Sequence, residues 1–127
     1  MSVELIRQWY SNIPEMERDL PVLMVDGNVY TPREIYNEVM KGTELGKKMQ
    51  EKIEKLRSPH SFYYSDLREL REVAYERIKR IVQDLPEGFS IVSVGGRIIT
   101  DKEGIYEALK DSAVEIEMKK ILDILRR

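Results

Sequence analysis

The chain of 127 residues contains no cysteine and only one histidine, His60. The lack of cysteine excludes disulfides, thiolate nucleophiles and cysteine-based zinc or iron–sulfur sites. Long apolar runs are also missing, since none approaches the roughly 18 residues of a membrane span. The N-terminal sequence MSVELIRQWY is unlike a signal peptide. We therefore expect a soluble, cytoplasmic protein.

An excess of basic residues is lacking as well. The net charge is −2, although 35% of the residues are charged, so no global basic field draws the protein towards nucleic acid or an anionic membrane. The hydrophobic fraction of 42% is enough for a core and argues against wholesale disorder. Abundant Lys, Glu and Ile with few Asn and Gln favour a thermophilic source.

One stretch of the chain occurs twice in similar form, as VLMVDGNVYTPRE at 22–34 and IVSVGGRIITDKE at 91–103. Each copy has an apolar run, a glycine-containing dipeptide, a second apolar run and Thr-x-x-Glu. Asp26-Gly27 and Gly95-Gly96 predict two-residue hairpin turns, because a type I′ turn needs positive φ at both central residues. Thr-x-x-Glu is a capping box, which predicts a helix start after each hairpin.

Apolar residues at helical spacing predict one helix before each hairpin and two helices after it. In the second half these last two are a short helix at 101–110 and a final helix capped at Ser112. The predicted organisation is a first repeat half at 1–57, a linker at 58–65 and a second half at 66–127, within one compact domain that shares a core. The fold class is α+β, with an internally duplicated helix–β-hairpin–helix–helix unit and a small antiparallel sheet covered by helices.

The pleat of a strand places apolar residues on both faces of each predicted hairpin. In the first hairpin, a two-residue turn pairs Leu23 with Tyr30, Met24 with Val29 and Val25 with Asn28. In the second, it places Val92, Val94 and Ile99 on one face and Ile91 and Ile98 on the other. An isolated hairpin is marginal in water. The hairpins could join as a four-stranded sheet within one chain or pair between chains in an interlocked homodimer, and the sequence does not distinguish these arrangements.

Signals for catalysis are sparse. His60 lies in the segment Ser-Pro-His-Ser, which is typical of a solvated turn, and no G-x-S-x-G motif is present. Most acidic residues alternate with Lys and Arg at helical spacing, as on solvated helix faces. We predict no catalytic residue, no metal site and no cofactor, which favours a protein that is not an enzyme.

The last predicted helix has a wider apolar surface than its counterpart in the first half. Ala113, Ile116 and Ile124 lie beside its core stripe, and Lys47 and Lys55 occupy the positions that match the two isoleucines. A wide apolar stripe needs something to cover it. The sequence therefore predicts a protein–protein interaction or assembly module, which forms a homodimer through this C-terminal face; a different, unidentified protein partner is the alternative.

A nucleic-acid-binding regulator is the second functional hypothesis. Residues 41–57 hold six Lys or Arg (41, 47, 48, 52, 55, 57) against three Glu (44, 51, 54), a local net charge of 6 − 3 = +3. Cations of this kind bind phosphates, and aromatic rings stack on bases. The predicted contacts are Lys47, Lys48, Lys52, Lys55, Tyr63 and Tyr64.

Overall fold

The computed structural model describes residues 2–58 and 63–127. Most of the predicted linker, with His60, lies outside these residues. In chain order the elements are α1 (Val3–Ser11), a 3₁₀ turn (Glu15–Glu17), β1 (Leu23–Val25), β2 (Asn28–Tyr30), α2 (Pro32–Lys41), α3 (Glu44–Arg57), α4 (Tyr64–Gln83), β3 (Ile91–Val92), β4 (Ile98–Ile99) and α5 (Lys102–Leu125). The chain has an α+β fold, as the sequence predicts.

The first hairpin has the predicted turn and register. Asp26 and Gly27 have φ values of 51° and 81°, which is the pair of positive values that a type I′ turn requires. The strand partners are Leu23–Tyr30, Met24–Val29 and Val25–Asn28. The prediction for this hairpin is confirmed, because a two-residue turn leaves the flanking strands only one register.

Local signals also set the boundaries of α2 and α3. The Thr31 hydroxyl accepts the N–H of Glu34 at 3.2 Å, and the Glu34 carboxylate accepts the N–H of Thr31 at 2.9 Å, which completes the capping box that starts α2. Gly42, with φ of 69°, ends α2 in the left-handed conformation. Thr43 then caps α3 by accepting the N–H of Gly46 at 3.0 Å.

In the second half, the predicted break at Ser112 is wrong. One helix, α5, runs from Lys102 to Leu125 without interruption. The Ser112 hydroxyl donates to the carbonyl of Leu109 at 2.9 Å and does not cap a helix. No glycine stands where Gly42 ends α2 in the first half, so nothing here favours the left-handed residue that stops a helix.

The two-residue turn predicted at Gly95-Gly96 is also wrong. The N–H of Ser93 donates to the carbonyl of Arg97 at 2.8 Å and the N–H of Gly96 to that of Ser93 at 2.9 Å, so the loop between the paired positions has three residues. Of its two glycines only Gly96 has a positive φ, of 79°. This geometry is the three-residue hairpin loop, a β-turn followed by one left-handed residue.

The hairpins do not join. Within the described ranges, β1 pairs only with β2 and β3 only with β4, which gives two separate two-stranded antiparallel sheets and not the single four-stranded sheet considered as one arrangement. The internal duplication itself stays a prediction.

One hydrophobic core unites the molecule. Its buried residues come from all five helices and from the first hairpin, whereas the second hairpin contributes only partly buried Ile91 and Ile99. α4 and α5 run in opposite directions along each other, as the Arg71–Glu115 and Lys102–Gln83 contacts show. α1 packs against the last turns of α5, and there the indole N–H of Trp9 donates to the carbonyl of Ile124 at 2.7 Å.

Candidate interaction surfaces

The structure separates the three residues of the predicted C-terminal face. Ile116 is 58% exposed, Ala113 is partly buried and Ile124 is only 3% exposed. Ile124 is therefore a core residue and not part of a free surface, because α1 packs on the last turns of α5 and Trp9 bonds to the Ile124 carbonyl. What remains exposed is one isoleucine, and isolated apolar side chains are normal on the surface of a monomer.

The four lysines of the predicted nucleic-acid surface all have a carboxylate partner in the same chain. The pairs are Lys47–Glu44 at 3.6 Å, Lys48–Asp26 at 2.9 Å, Lys52–Glu69, and Lys55–Asp66 at 3.2 Å. Three of these pairs join α3 to the first hairpin or to α4. The hydrogen bond with Asp26 raises the pKa of Lys48. The pairing of these cations within the chain lowers the charge available to a phosphate.

The two predicted stacking aromatics are exposed at the start of α4. Tyr63 is 63% exposed and Tyr64 is 82% exposed. The ammonium of Lys55 lies 4.8 Å from the centroid of the Tyr63 ring, and the N–H of Tyr63 donates to Asp66 at 2.8 Å. The structure thus brings Lys55 and Tyr63 together around Asp66. The Asp66 carboxylate, however, neutralises the positive charge of Lys55.

A buried ionic cluster joins α4, α5 and the segment before the first hairpin, and the sequence analysis missed it. Arg77 is 1% exposed. It donates through Nε to Glu117 at 2.7 Å and through Nη2 to Glu17, and Lys120 lies 3.3 Å from Glu117. Its Nη1 has no partner among the described residues. A signal was present, because position 77 follows the apolar positions 73 and 74 at the helical spacing of a buried stripe.

The second hairpin carries three exposed aliphatic side chains close together in the chain. Val92 is 69% exposed, Ile98 is 66% exposed, and Val94 at the turn is fully open at 110%. Val92 and Ile98 are directly paired across the strands, so their side chains lie on the same face. Phe89, 42% exposed, precedes β3. We call Val92, Val94 and Ile98 the open hairpin face.

The open hairpin face follows from the one extra loop residue. A two-residue turn would pair Val92 with Ile99, whereas the observed pairs are Val92–Ile98 and Ile91–Ile99. A shift of one position moves a side chain to the other face of a hairpin. The observed register therefore directs Ile91 and Ile99 inwards, against the core, and leaves Val92 and Ile98 on the outer side.

The described surface contains several open clefts. One of about 330 Å³ lies between α4 and α5, and it is lined by Lys79, Val82, Gln83, Lys102, Glu103, Tyr106 and Glu107. Burial raises the pKa of the Tyr106 phenol. No nucleophile here is paired with a base, the arrangement that nucleophilic catalysis requires.

Two further findings apply to residues 2–58 and 63–127. None of their helices is both long and apolar enough to cross a membrane. Their Asp and Glu side chains form no group of three or more that could hold a metal ion.

Comparison with known proteins gives no relative: no family model, curated protein or solved structure matches the chain. The surfaces therefore have to be interpreted from their own chemistry.

Proposed function

We propose that the protein is a non-enzymatic protein–protein interaction or assembly module that self-associates. The observation that supports this proposal is the open hairpin face, where Val92 and Ile98 are exposed on one side of a two-stranded sheet and Val94 is exposed in the adjoining turn. Burial of each would contribute about 1–2 kcal/mol, in proportion to the area removed from water. An exposed apolar cluster of this kind marks a contact surface more often than scattered single residues do.

This proposal keeps the function expected from the sequence but moves its surface. The sequence assigns association to α5 through Ala113, Ile116 and Ile124, of which Ile124 is buried. The second hairpin offers more apolar surface than the remaining Ile116. Its outer side also lacks the lysines that surround the first hairpin and that would oppose burial in an interface.

The nucleic-acid hypothesis stays a prediction and takes second place. Lys47, Lys48, Lys52 and Lys55 would each have to exchange a carboxylate partner for a phosphate. The described residues show no contact that would offset the loss of these four ion pairs.

The test is the molar mass of the protein in solution, measured by light scattering over a range of concentrations. We expect the natural chain to shift towards a dimer as its concentration rises, and Val92→Lys with Ile98→Lys to remain a monomer, because two buried ammonium groups without partners disfavour the contact. Leu5→Lys is the matched control, since Leu5 is 50% exposed on α1. Circular dichroism verifies that each variant is folded.

Two results would contradict the proposal. A natural chain that is monomeric at every concentration would exclude self-association. If Ile116→Lys abolishes the dimer while the hairpin variant retains it, the contact surface is on α5, as the sequence predicts, and not on the hairpin.

A further inference from the structure

We infer that the Asp26-Gly27 turn of the first hairpin is a site of isoaspartate formation, and that the ion pair with Lys48 slows this modification. The inference is independent of self-association. Among the aspartates and asparagines of the chain, only Asp26 is followed by glycine. Because glycine has no side chain to shield its amide nitrogen, an aspartate before it is the one most open to attack by the following amide.

The modification needs only the chain and water. The amide nitrogen of Gly27 attacks Cγ of Asp26, which closes a five-membered succinimide ring, and the amide proton leaves with a protonated carboxyl oxygen as water. Water then opens the ring at either carbonyl. Cleavage of the N–Cγ bond restores aspartate, whereas cleavage of the bond to the former main-chain carbonyl leaves the chain running through Cβ and Cγ, as isoaspartate.

The turn exposes both reacting groups. The Asp26 side chain is 66% exposed, and a Cβ built on Gly27 meets nothing within 4 Å. The φ of Asp26, 51°, suits the first central position of both type I′ and type II′ turns, and glycine can occupy the second position of either. The peptide unit that carries the attacking nitrogen can therefore rotate while the strands stay paired.

The ammonium of Lys48 opposes ring closure. It donates to Oδ2 of Asp26 at 2.9 Å. The succinimide has no carboxylate, so this ion pair is lost when the ring forms. The pair therefore stabilises the aspartate relative to the ring and slows the first step of the modification.

Two other parts of the chain each lack one condition for the reaction. Asp111 precedes the small residue Ser112, but both lie inside α5, where the helical hydrogen bonds fix the backbone. The second hairpin has Gly95-Gly96 at its turn, without a carboxylate to react. Asp111 therefore serves as an internal control for Asp26.

The consequence of the modification is a longer main chain at the turn. Isoaspartate adds one atom between Asp26 and Gly27, and the register of Leu23 opposite Tyr30 depends on a two-residue turn. Since Leu23 and Val25 are buried in the core, we expect the modified fraction to unfold at a lower urea concentration than the unmodified fraction.

The test is peptide mapping by mass spectrometry after incubation at neutral pH, with electron-transfer fragmentation to distinguish isoaspartate from aspartate. We expect isoaspartate at position 26 and not at position 111. Lys48→Met should form it about threefold faster, since loss of an exposed ion pair changes an equilibrium by no more than about fivefold. At about 1 M salt, where the screening length falls to ~3 Å, the natural chain should approach the rate of this variant.

Matched variants provide the controls. Lys47 pairs with Glu44 on its own helix at 3.6 Å, so Lys47→Met should leave the rate unchanged, and Lys48→Arg should retain the natural rate because it keeps the charge. Asp26→Asn keeps a favoured turn dipeptide but has no ion pair, and it should form isoaspartate faster than the natural chain, with loss of ammonia. Circular dichroism verifies that each variant is folded.

Two results would overturn the inference, and neither bears on self-association. If folded Lys48→Met and Asp26→Asn form no isoaspartate at position 26 while the chain unfolded in urea does, the turn itself prevents ring closure. If Lys48→Met and Lys47→Met are modified at the same rate, the ion pair does not protect the turn.

Discussion

The two hairpins have similar sequences but opposite environments. In the first, Leu23 and Val25 are 1% and 5% exposed, and helices α3 and α4 contact the strand that carries them. In the second, Val92 and Ile98 are 69% and 66% exposed. The comparison shows that an apolar, alternating strand pair does not specify its own burial. The helices around it, and one residue of loop length, decide which side chains reach the core.

The segments that lead into the two hairpins also differ in how many contacts they make, and again the first makes more. Both contain Asp-Leu-Pro. Before the first hairpin, the carboxylate of Asp19 accepts from Arg33 at 2.8 Å and its carbonyl accepts from Arg80 at 3.0 Å; the hydrogen bond from Arg33 lowers the pKa of Asp19. Before the second hairpin, the Asp84 side chain has no partner among the described residues. Contacts of the aspartate therefore hold the segment before the first hairpin, whereas the equivalent aspartate makes no such side-chain contact before the second.

The largest expected effect comes from the buried ionic cluster of Arg77, Glu117 and Glu17, which ties the segment before the first hairpin to α4 and α5. Arg77→Met leaves the buried Glu117 without its main partner, and removal of one member of a buried ion pair costs about 3 kcal/mol or more. Arg71→Met is the matched control on the same helices, because the Arg71–Glu115 pair is exposed, and we expect it to cost under about 1 kcal/mol. Urea denaturation measures both. Equal losses would show that Arg77 does not anchor this segment.

The next prediction contrasts the hairpins directly. Leu23→Ala removes a buried side chain and leaves a cavity between the helices, at a cost of about 2–4 kcal/mol in the free energy of unfolding. Val92→Ala changes an exposed position and should stay within about 0.5 kcal/mol, measured at a concentration where the protein is monomeric. A large loss from Val92→Ala under that condition would mean that the second hairpin packs within its own chain.

The smallest effect concerns the second turn. Gly96 has φ of 79°, so Gly96→Ala places a side chain in the left-handed region and should cost about 1 kcal/mol. A Cβ at Gly95 meets nothing within 4 Å, and Gly95→Ala should be nearly neutral. Thermal unfolding of both variants makes the comparison. If the two substitutions cost the same, the loop has the two-residue turn that the sequence predicts.

Local signals made much of the fold predictable. The first turn and the α2 and α3 boundaries depend on residues within a few positions of each other, such as Asp26-Gly27, the Thr31–Glu34 capping box and Gly42. Interactions of this kind act before any tertiary contact forms, so they can be derived from neighbouring residues alone.

The surfaces were less predictable because they depend on distant residues. Nothing near Ile124 indicates that α1, more than 110 positions earlier, covers it. The lysines of α3 look free until α4 and the first turn supply their carboxylates. The prediction for the second turn was wrong for a different reason: Gly95-Gly96 is compatible with a two-residue and a three-residue loop, and glycine alone does not determine the loop length.

The bond between Trp9 and the carbonyl of Ile124 spans 115 positions, and Trp9 is the only tryptophan in the chain. We therefore expect its fluorescence to report whether α1 is docked on the last turns of α5, because the indole is buried there. During synthesis, Trp9 is made more than 110 residues before Ile124, so α1 can acquire this partner only after the last turns of α5 have left the ribosome.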